Sequence, residues 1–324
     1  MEHEHHIEHG HDGQEECIEL RHSGPKERSA LVIGLSIILA GTFIAGAWAY
    51  ANSKQLSGQQ KTVPVPGGQA GDPDLEEAVI PKEGYVLPIS WGDMGKRLIA
   101  SGVIDEMKLK KVYEARGGLT TDEQTMLLDN SSEPIRITRQ NANFILNMLW
   151  AYGLAQKNPI LEKGEMVARE YGGNAGQFAS TGGWTLSKGD AMSHYSAHAF
   201  VTLTVEQQAL VDRVSRGIYR PCCGNSTHFP DCNHGMAMLG LLELMAVNNV
   251  SEADMYKAAL QVNAYWFPDT YLTIAKYFKT QGTAWDSVDP KIALSAEYSS
   301  SAGYKRILSI VEPVIRSSGS GCGI

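Results

Sequence analysis

Basic residues and cysteines are scarce in this chain of 324 residues, and each scarcity excludes a class of function. The 28 lysines and arginines are outnumbered by 36 aspartates and glutamates, which gives a formal net charge of −8. Binding to nucleic-acid phosphates needs a basic surface, so no nucleic-acid partner is expected. Only five cysteines are present, and none forms the Cys-x-x-Cys pair typical of thioredoxin-like redox proteins.

Several motifs of well-known enzyme classes are also missing. The segment 171–184 holds five glycines in fourteen residues, but it lacks the Gly-Lys-Ser/Thr of a phosphate-binding loop. No glutamate follows His194 in the pair His194 and His198, so the His-Glu-x-x-His motif of metalloproteases is absent as well. The glycine-rich segment is therefore interpreted as a surface loop or a lid, and the sequence identifies no reaction.

The composition of 43% hydrophobic and 20% charged residues is ordinary for a folded protein of one or two domains. Histidine and cysteine, however, are unevenly distributed along the chain. Six of the ten histidines fall within the first 22 residues, and four of the five cysteines follow residue 220. The two ends of the chain therefore have to be interpreted separately.

Residues 30–51 form an uncharged run of twenty-two residues. A helix of that length spans roughly 33 Å, enough to cross a bilayer. A cleaved signal peptide is the alternative, because small-x-small sites end the run, but the run is longer than a usual signal peptide. We expect a single-pass membrane anchor.

The flanking charges predict the orientation of this anchor. Arg21, Lys26 and Arg28 precede the run, whereas Lys54 and Lys61 follow it. This small excess favours a cytoplasmic amino terminus and an extracytoplasmic carboxy-terminal domain at the cell membrane. Residues 52–82, rich in Gly, Pro, Gln and Ser, are predicted to be a flexible linker.

Residues 1–29 combine histidine with glutamate and are predicted to be a disordered tail. Imidazole and carboxylate groups bind divalent transition metals, and a flexible tract can gather such ligands without fixed geometry. An inert acidic tail is the alternative. The weak metal site expected here comprises His3, His5, His6, His9 and His11.

Residues 83–316 are predicted to form a mainly α-helical globular domain. Capping signals at Ser90, Thr121, Thr204 and Ser251 recur along it, and residues 138–156 have the spacing of an amphipathic helix. Strand-like alternation is rare, and 199–204 is its best example. Residues 317–324 are predicted to be a flexible Ser/Gly tail that carries Cys322.

A loop rich in cysteine and histidine carries the chemistry of this domain. Five potential ligands of a metal ion lie within thirteen residues, namely Cys222, Cys223, His228, Cys232 and His234. Prolines prevent a helix before residue 231, and the nearly apolar run 236–245 predicts a buried helix after it. Cys232 is thus expected near a helix amino terminus, where a thiolate is favoured.

Two further features are candidates for the same site. His194 and His198 would lie on one face of a helix, a common arrangement of two metal ligands, although packing also produces it often. Cys322 is the third residue from the carboxy terminus, on an arm that can reach the cysteine loop. It is expected either to join the loop chemistry or to fasten the tail.

Three hypotheses follow. The loop binds a thiophilic metal ion, Zn or Cu, which sulfur and imidazole donors favour. Alternatively, the protein is a thiol-disulfide redox protein with Cys232 as the nucleophile, Cys222 or Cys223 as its partner and Cys322 as a shuttle. In the third, the cysteines form structural disulfides in an interaction domain, although adjacent Cys222 and Cys223 are awkward for such pairing. Protein partners are not indicated by the sequence.

Overall fold

A computed structural model describes residues 72–314, and 56% of them are helical with few strands. The mainly α fold predicted from the sequence is confirmed for this region. No helix between residues 72 and 314 is long and apolar enough to cross a membrane. The predicted anchor 30–51, the histidine-rich tail 1–29 and Cys322 lie outside the described residues, so those predictions stay predictions.

The described region contains thirteen α-helices and two strands. In chain order they are α1 (Pro73–Val79), β1 (Tyr85–Gly92), α2 (Met94–Ala100), α3 (Glu106–Glu114), α4 (Thr121–Leu128), β2 (Ser131–Ile137), α5 (Ala142–Ala155), α6 (Pro159–Lys163), α7 (Val205–Gly217), α8 (Asn233–Val247), α9 (Glu252–Trp266), α10 (Pro268–Thr280), α11 (Pro290–Ala293), α12 (Ala296–Ser299) and α13 (Ser301–Leu308). Short 3-10 turns occupy much of the stretch between α6 and α7, at Glu165–Val167, Arg169–Tyr171, Ala175–Gln177 and Ala191–Ser193.

The centre of the fold is the contact between α5 and α8. Neither helix has a wide polar face in its sequence, and both are therefore buried on nearly every side. Gly153 and Gly240 allow the two backbones to meet, since a Cβ added at Gly240 would lie 2.9 Å from the Cα of Gly153. The helix predicted over 138–156 is confirmed, but it is a central helix and not an amphipathic one.

The two strands form an antiparallel sheet in which Tyr85 pairs with Ile137. Leu87, Ile89 and Trp91 point into the core from β1, and alternate residues face outward. The capping box expected at Ser90 is therefore wrong, because that residue lies within β1. The strand expected at 199–204 is also wrong, since these residues form no strand and lead into α7.

Helix starts follow the other predicted caps closely. Thr204 and Gln207 form a reciprocal capping box at α7, and the Ser251 hydroxyl accepts the backbone N–H of Asp254 at α9. At α4 the cap is Thr120, one residue before the predicted position. Helix α1 starts at Pro73 after the capping carboxylate of Asp72, so the folded region begins inside the segment 52–82 that was predicted to be linker.

Candidate metal and thiol site

The cysteine loop, residues 218–232, joins α7 to α8. Tyr219 pairs with Ser226 in a single antiparallel bridge that closes the loop on itself. Cys232 occupies the N-cap position of α8, with extended backbone angles. The predicted helix start is thus confirmed, and the Cys232 residue lies at the positive end of the dipole of α8.

The loop brings three of the five predicted ligands together. Sγ of Cys222 lies 3.5 Å from Sγ of Cys232, and all three described cysteines are free thiols. One ligand atom each of Cys222, Cys232 and His234 lie within 4.8 Å of one another. Cys223 belongs to a second group with Asp231 and Cys232 at the same limit. These groups could hold a metal ion.

Arg220 is the structural centre of the loop. Its side chain is 1% exposed, and its Nε donates to Sγ of Cys232 at 3.0 Å. One Nη donates to the carboxylate of Asp231 at 2.5 Å, and two further donations reach the backbone carbonyls of Asn225 and Phe229. A buried guanidinium therefore fixes both ends of the loop and neutralises the anionic groups around it.

Space for this guanidinium exists because residue 235 is glycine. A Cβ added at Gly235 would lie 2.5 Å from Cζ of Arg220, far inside van der Waals contact. The side chain of Arg220 thus packs directly against the backbone of the first turn of α8. The sequence Cys-Asn-His-Gly therefore provides a ligand, a helix start, a second ligand and room for the cation.

These contacts favour ionisation of one thiol over its neighbours. The pKa of Cys232 is well below its usual value, because its sulfur accepts hydrogen bonds from Cys222 and Cys223 and lies beside the charge of Arg220. The pKa of Cys222 is raised, because its thiol hydrogen-bonds Cys223 and Cys232 and is partly buried. Among the three described thiols, Cys232 is consequently the one that ionises most readily.

His234 forms the inner wall of the site. It is 3% exposed, and its ring packs at 4.4 Å from the ring centre of Phe267 and at 5.6 Å, edge to face, from that of Trp266. These aromatic contacts hold the imidazole on one side of the cysteines, where it lowers the pKa of Cys232 by a hydrogen bond. A rigid imidazole beside two sulfurs is a suitable ligand for a metal ion.

His228 does not join the three cysteines. Its ring nitrogens lie 2.9 Å from the carboxylates of Glu165 and Asp212, and Arg216 also approaches the ring. Neither group of potential metal ligands includes it. The imidazole fastens the cysteine loop to α7 and to the turn at Glu165–Val167, so its inclusion in the predicted metal set is not supported by its position.

His194 and His198 form a separate pair. They do not lie on one helix, because a 3-10 turn ends at Ser193 and Ser196 has a positive φ of 50°. The turn nevertheless brings Nδ1 of His194 to 3.1 Å from Nε2 of His198. Burial and the neighbouring charge of His194 lower the pKa of His198. The pair belongs to neither group of potential ligands at the cysteine loop.

The glycine-rich segment 171–184 is exposed over residues 171–174, as expected of a surface loop, but is packed near its carboxy-terminal end. Ser180, Thr181 and Trp184 are buried, and the backbone N–H of Ser180 donates to the carbonyl of Asp231 at 3.1 Å. The indole N–H of Trp150, on α5, donates to the carbonyl of Ser180 at 2.6 Å. The segment therefore links the central helix to the cysteine loop.

Two features of this region were not predicted as functional from the sequence. Arg220 and Asp231 together organise the thiols, yet a lone arginine in a loop is ordinarily solvated. The only signal was its place directly before Pro-Cys-Cys in a stretch with few other charges.

A cleft of 540 Å³ lies away from the cysteine loop, bordered by β2, α4 and α5. Trp91 and Phe144 lie in its wall, and no cysteine or histidine lines it.

Comparison with known proteins provides no further assignment. No protein family, curated protein or solved structure matches this chain. The chemistry of the loop itself is therefore the basis for a functional assignment.

Proposed function

We propose that the cysteine loop binds one thiophilic metal ion, Zn²⁺ or Cu⁺, through Cys222, Cys232 and His234. The observation that supports this most strongly is the convergence of two sulfurs and one imidazole within 4.8 Å. Cys223, Cys322 or an exchangeable ligand completes the coordination. Three fixed ligands and one open position are typical of sites that exchange or activate a ligand.

The distance between the sulfurs favours a metal over a permanent disulfide. Two thiolates bound tetrahedrally to one Zn²⁺ at about 2.3 Å lie roughly 3.8 Å apart. A disulfide would bring the sulfurs to about 2.05 Å. The observed separation of Cys222 and Cys232 is 3.5 Å. A small outward movement therefore admits an ion, whereas a disulfide needs a much larger approach.

The surrounding charges suit such an ion. Two thiolates balance the charge of Zn²⁺, and Arg220 is already balanced by Asp231 at 2.5 Å. The hydrogen bond from Arg220 to Cys232 orients a lone pair of the sulfur and leaves others for the metal. Hydrogen bonds of this kind tune the affinity of metal sites.

Cobalt substitution tests this proposal on the full chain. Co²⁺ bound to thiolates gives an intense charge-transfer absorption, which histidine and carboxylate ligands in the amino-terminal tail do not give. We expect this absorption at one equivalent of Co²⁺, and we expect Zn²⁺ to displace it. Cys232→Ser and Cys222→Ser should each abolish or strongly reduce it.

Cys17→Ser is the matched control, because Cys17 lies far from the loop in sequence, and it should retain the full absorption. His228→Gln should also retain it, since that imidazole is held by Glu165 and Asp212. An absorption that survives in both Cys222→Ser and Cys232→Ser would overturn the proposal.

Thiol-disulfide exchange is the second candidate, favoured by the hydrogen bond of 3.0 Å from Arg220 to Cys232. The Cys232 thiolate would attack an external disulfide and release one thiolate. Cys222 would lose its proton and attack Sγ of Cys232, forming an internal disulfide and releasing the second thiolate. The protein is thereby oxidised by two electrons and the external disulfide is reduced.

Equilibration of the full chain in glutathione buffers distinguishes the two candidates. Redox function predicts a reversible Cys222–Cys232 disulfide at the potential of the compartment, and a mixed disulfide trapped on Cys232 in Cys222→Ser. Metal function predicts that Zn²⁺ suppresses both species. Thiols that stay reduced across the range would exclude the redox candidate.

A further inference from the structure

The pair His194 and His198 is outside the proposed thiol site, and its geometry has no role in that function. The two rings stack with centres 5.4 Å apart and planes 22° apart. Nδ1 of His194 faces Nε2 of His198 at 3.1 Å. Two imidazole nitrogens this close together can bind one metal ion.

The tautomer of His194 follows from its other neighbour. Nε2 of His194 lies 3.2 Å from the backbone carbonyl of Lys188. A carbonyl oxygen only accepts, so Nε2 carries the proton and donates it. In neutral His194 the lone pair is therefore on Nδ1, directed toward His198. A ligand imidazole with its second N–H on a backbone carbonyl is the usual outer arrangement of a metal-bound histidine.

The distance between the two nitrogens is close to that of bound ligands. Two imidazole nitrogens that bind one ion tetrahedrally at about 2.0–2.1 Å lie roughly 3.3 Å apart. The observed 3.1 Å needs only a slight separation of the rings. His194 is buried and His198 is partly exposed, so solvent ligands can complete the coordination sphere.

The backbone fixes this geometry with an uncommon conformation. Ser196 has a φ of 50°, which reverses the chain between the two histidines. Its N–H donates to the carbonyl of Leu154 at 2.8 Å, and the N–H of His198 donates to that of Ala155 at 2.9 Å. Both imidazoles are thus carried by backbone anchored to the end of the central helix α5. Such strain persists where the surrounding structure holds it, often at functional sites.

We propose that His194 and His198 form a second, independent metal site, for a borderline dication such as Zn²⁺, Ni²⁺ or Cu²⁺. The imidazoles provide two ligands, and water or a small anion provides the others. No thiol takes part in this site. Zn²⁺ suits both sites, but without sulfur this site favours Ni²⁺ or Cu²⁺ over the Cu⁺ that the cysteine loop favours.

Histidine modification mapped residue by residue tests this site in the full chain. Diethyl pyrocarbonate acylates accessible, unprotonated imidazole nitrogens, and mass spectrometry reports each histidine separately. Binding in the amino-terminal tail therefore does not interfere. We expect ZnCl₂ to abolish modification of His198, and we expect His194→Gln to restore it in the presence of Zn²⁺.

Two controls make the outcome decisive. The double variant Cys222→Ser/Cys232→Ser should keep the protection of His198, which separates this site from the thiol site. His228, held by two carboxylates, should show no response to Zn²⁺. Equal modification of His198 with and without Zn²⁺, or protection that persists in His194→Gln, would show a hydrogen-bonded pair without metal and overturn the proposal.

Discussion

The two halves of α8 bury polar groups in opposite ways. At its start, the Cys232 sulfur receives hydrogen bonds from Arg220 and from the neighbouring thiols. Farther along, Glu243 is fully buried, and only one of its carboxyl oxygens has a partner, the amide of Asn158. The first environment stabilises an anion, and the second disfavours one.

This difference shows that burial alone does not decide ionisation. Cys232 is partly buried and Glu243 is fully buried, yet the pKa of Cys232 falls, and burial raises the pKa of Glu243 well above its ordinary value. Hydrogen-bond donors and a nearby opposite charge outweigh the effect of desolvation, which by itself raises the pKa of an acid. Tyr152, whose hydroxyl is buried without a partner, has a raised pKa because of burial and the charge of Glu243.

Removing the positive charge of Arg220, which packs against the start of α8, should reduce the stability of the protein most. We expect Arg220→Met to lower the free energy of unfolding by about 3–5 kcal/mol, because Asp231 loses its buried cation and Cys232 loses its donor. Urea denaturation of the two proteins measures this. Arg213→Met is the matched control, since Arg213 is 59% exposed and pairs with Glu252 at the surface. It should cost about 0–1 kcal/mol, and equal losses would contradict the assigned role of Arg220.

Glu243, in the second half of α8, should make the free energy of unfolding depend on pH. In the unfolded chain Glu243 ionises near about 4.3, whereas its pKa in the folded protein is raised well above the ordinary value. The folded state therefore binds the proton more tightly. The stability contributed by neutral Glu243 is complete below the unfolded pKa. It falls by about 1.4 kcal/mol per pH unit as the pH rises toward the folded pKa.

Glu243→Gln isolates this contribution. Glutamine keeps an oxygen to accept the Asn158 amide but has no proton to lose, so the variant should lack the decline. Unfolding measured from acid to neutral pH should give similar stabilities at the acid end and a more stable variant at higher pH. A constant difference between the two proteins across the series would mean that Glu243 does not titrate in this range.

The local features of this region could be predicted from the sequence better than its tertiary contacts. The start of α8, the apolar character of that helix and the cap at Thr204 follow from local patterns of the chain. The proximity of Cys222 to Cys232 also follows from the short loop between them. Local hydrogen bonding and hydrophobic patterning act over few residues, and a single sequence reveals them.

Contacts between distant segments could not be predicted in this way. His228 lies among the cysteines in sequence, but Glu165, 63 residues earlier, holds its imidazole away from them. His194 and His198 were expected on a helix, and a positive φ at Ser196 brings them together instead. The burial of Arg220 depends on Asp231 and on a glycine at 235, which only the folded loop shows.

The substitution with the smallest expected effect, Gly235→Ala, moves the guanidinium of Arg220 without changing its charge. In Gly235→Ala the added Cβ pushes the guanidinium away from Cys232. The clash should cost about 1–3 kcal/mol, and the better helix propensity of alanine should offset up to about 1 kcal/mol of it. Alkylation of Cys232 by iodoacetamide as a function of pH should therefore shift to higher pH, although the charges are unchanged. Gly224→Ala, in the same loop with open space around its Cβ position, should leave both stability and alkylation unchanged. If the two variants alkylate alike, the direct contact of Arg220 does not hold the Cys232 thiolate.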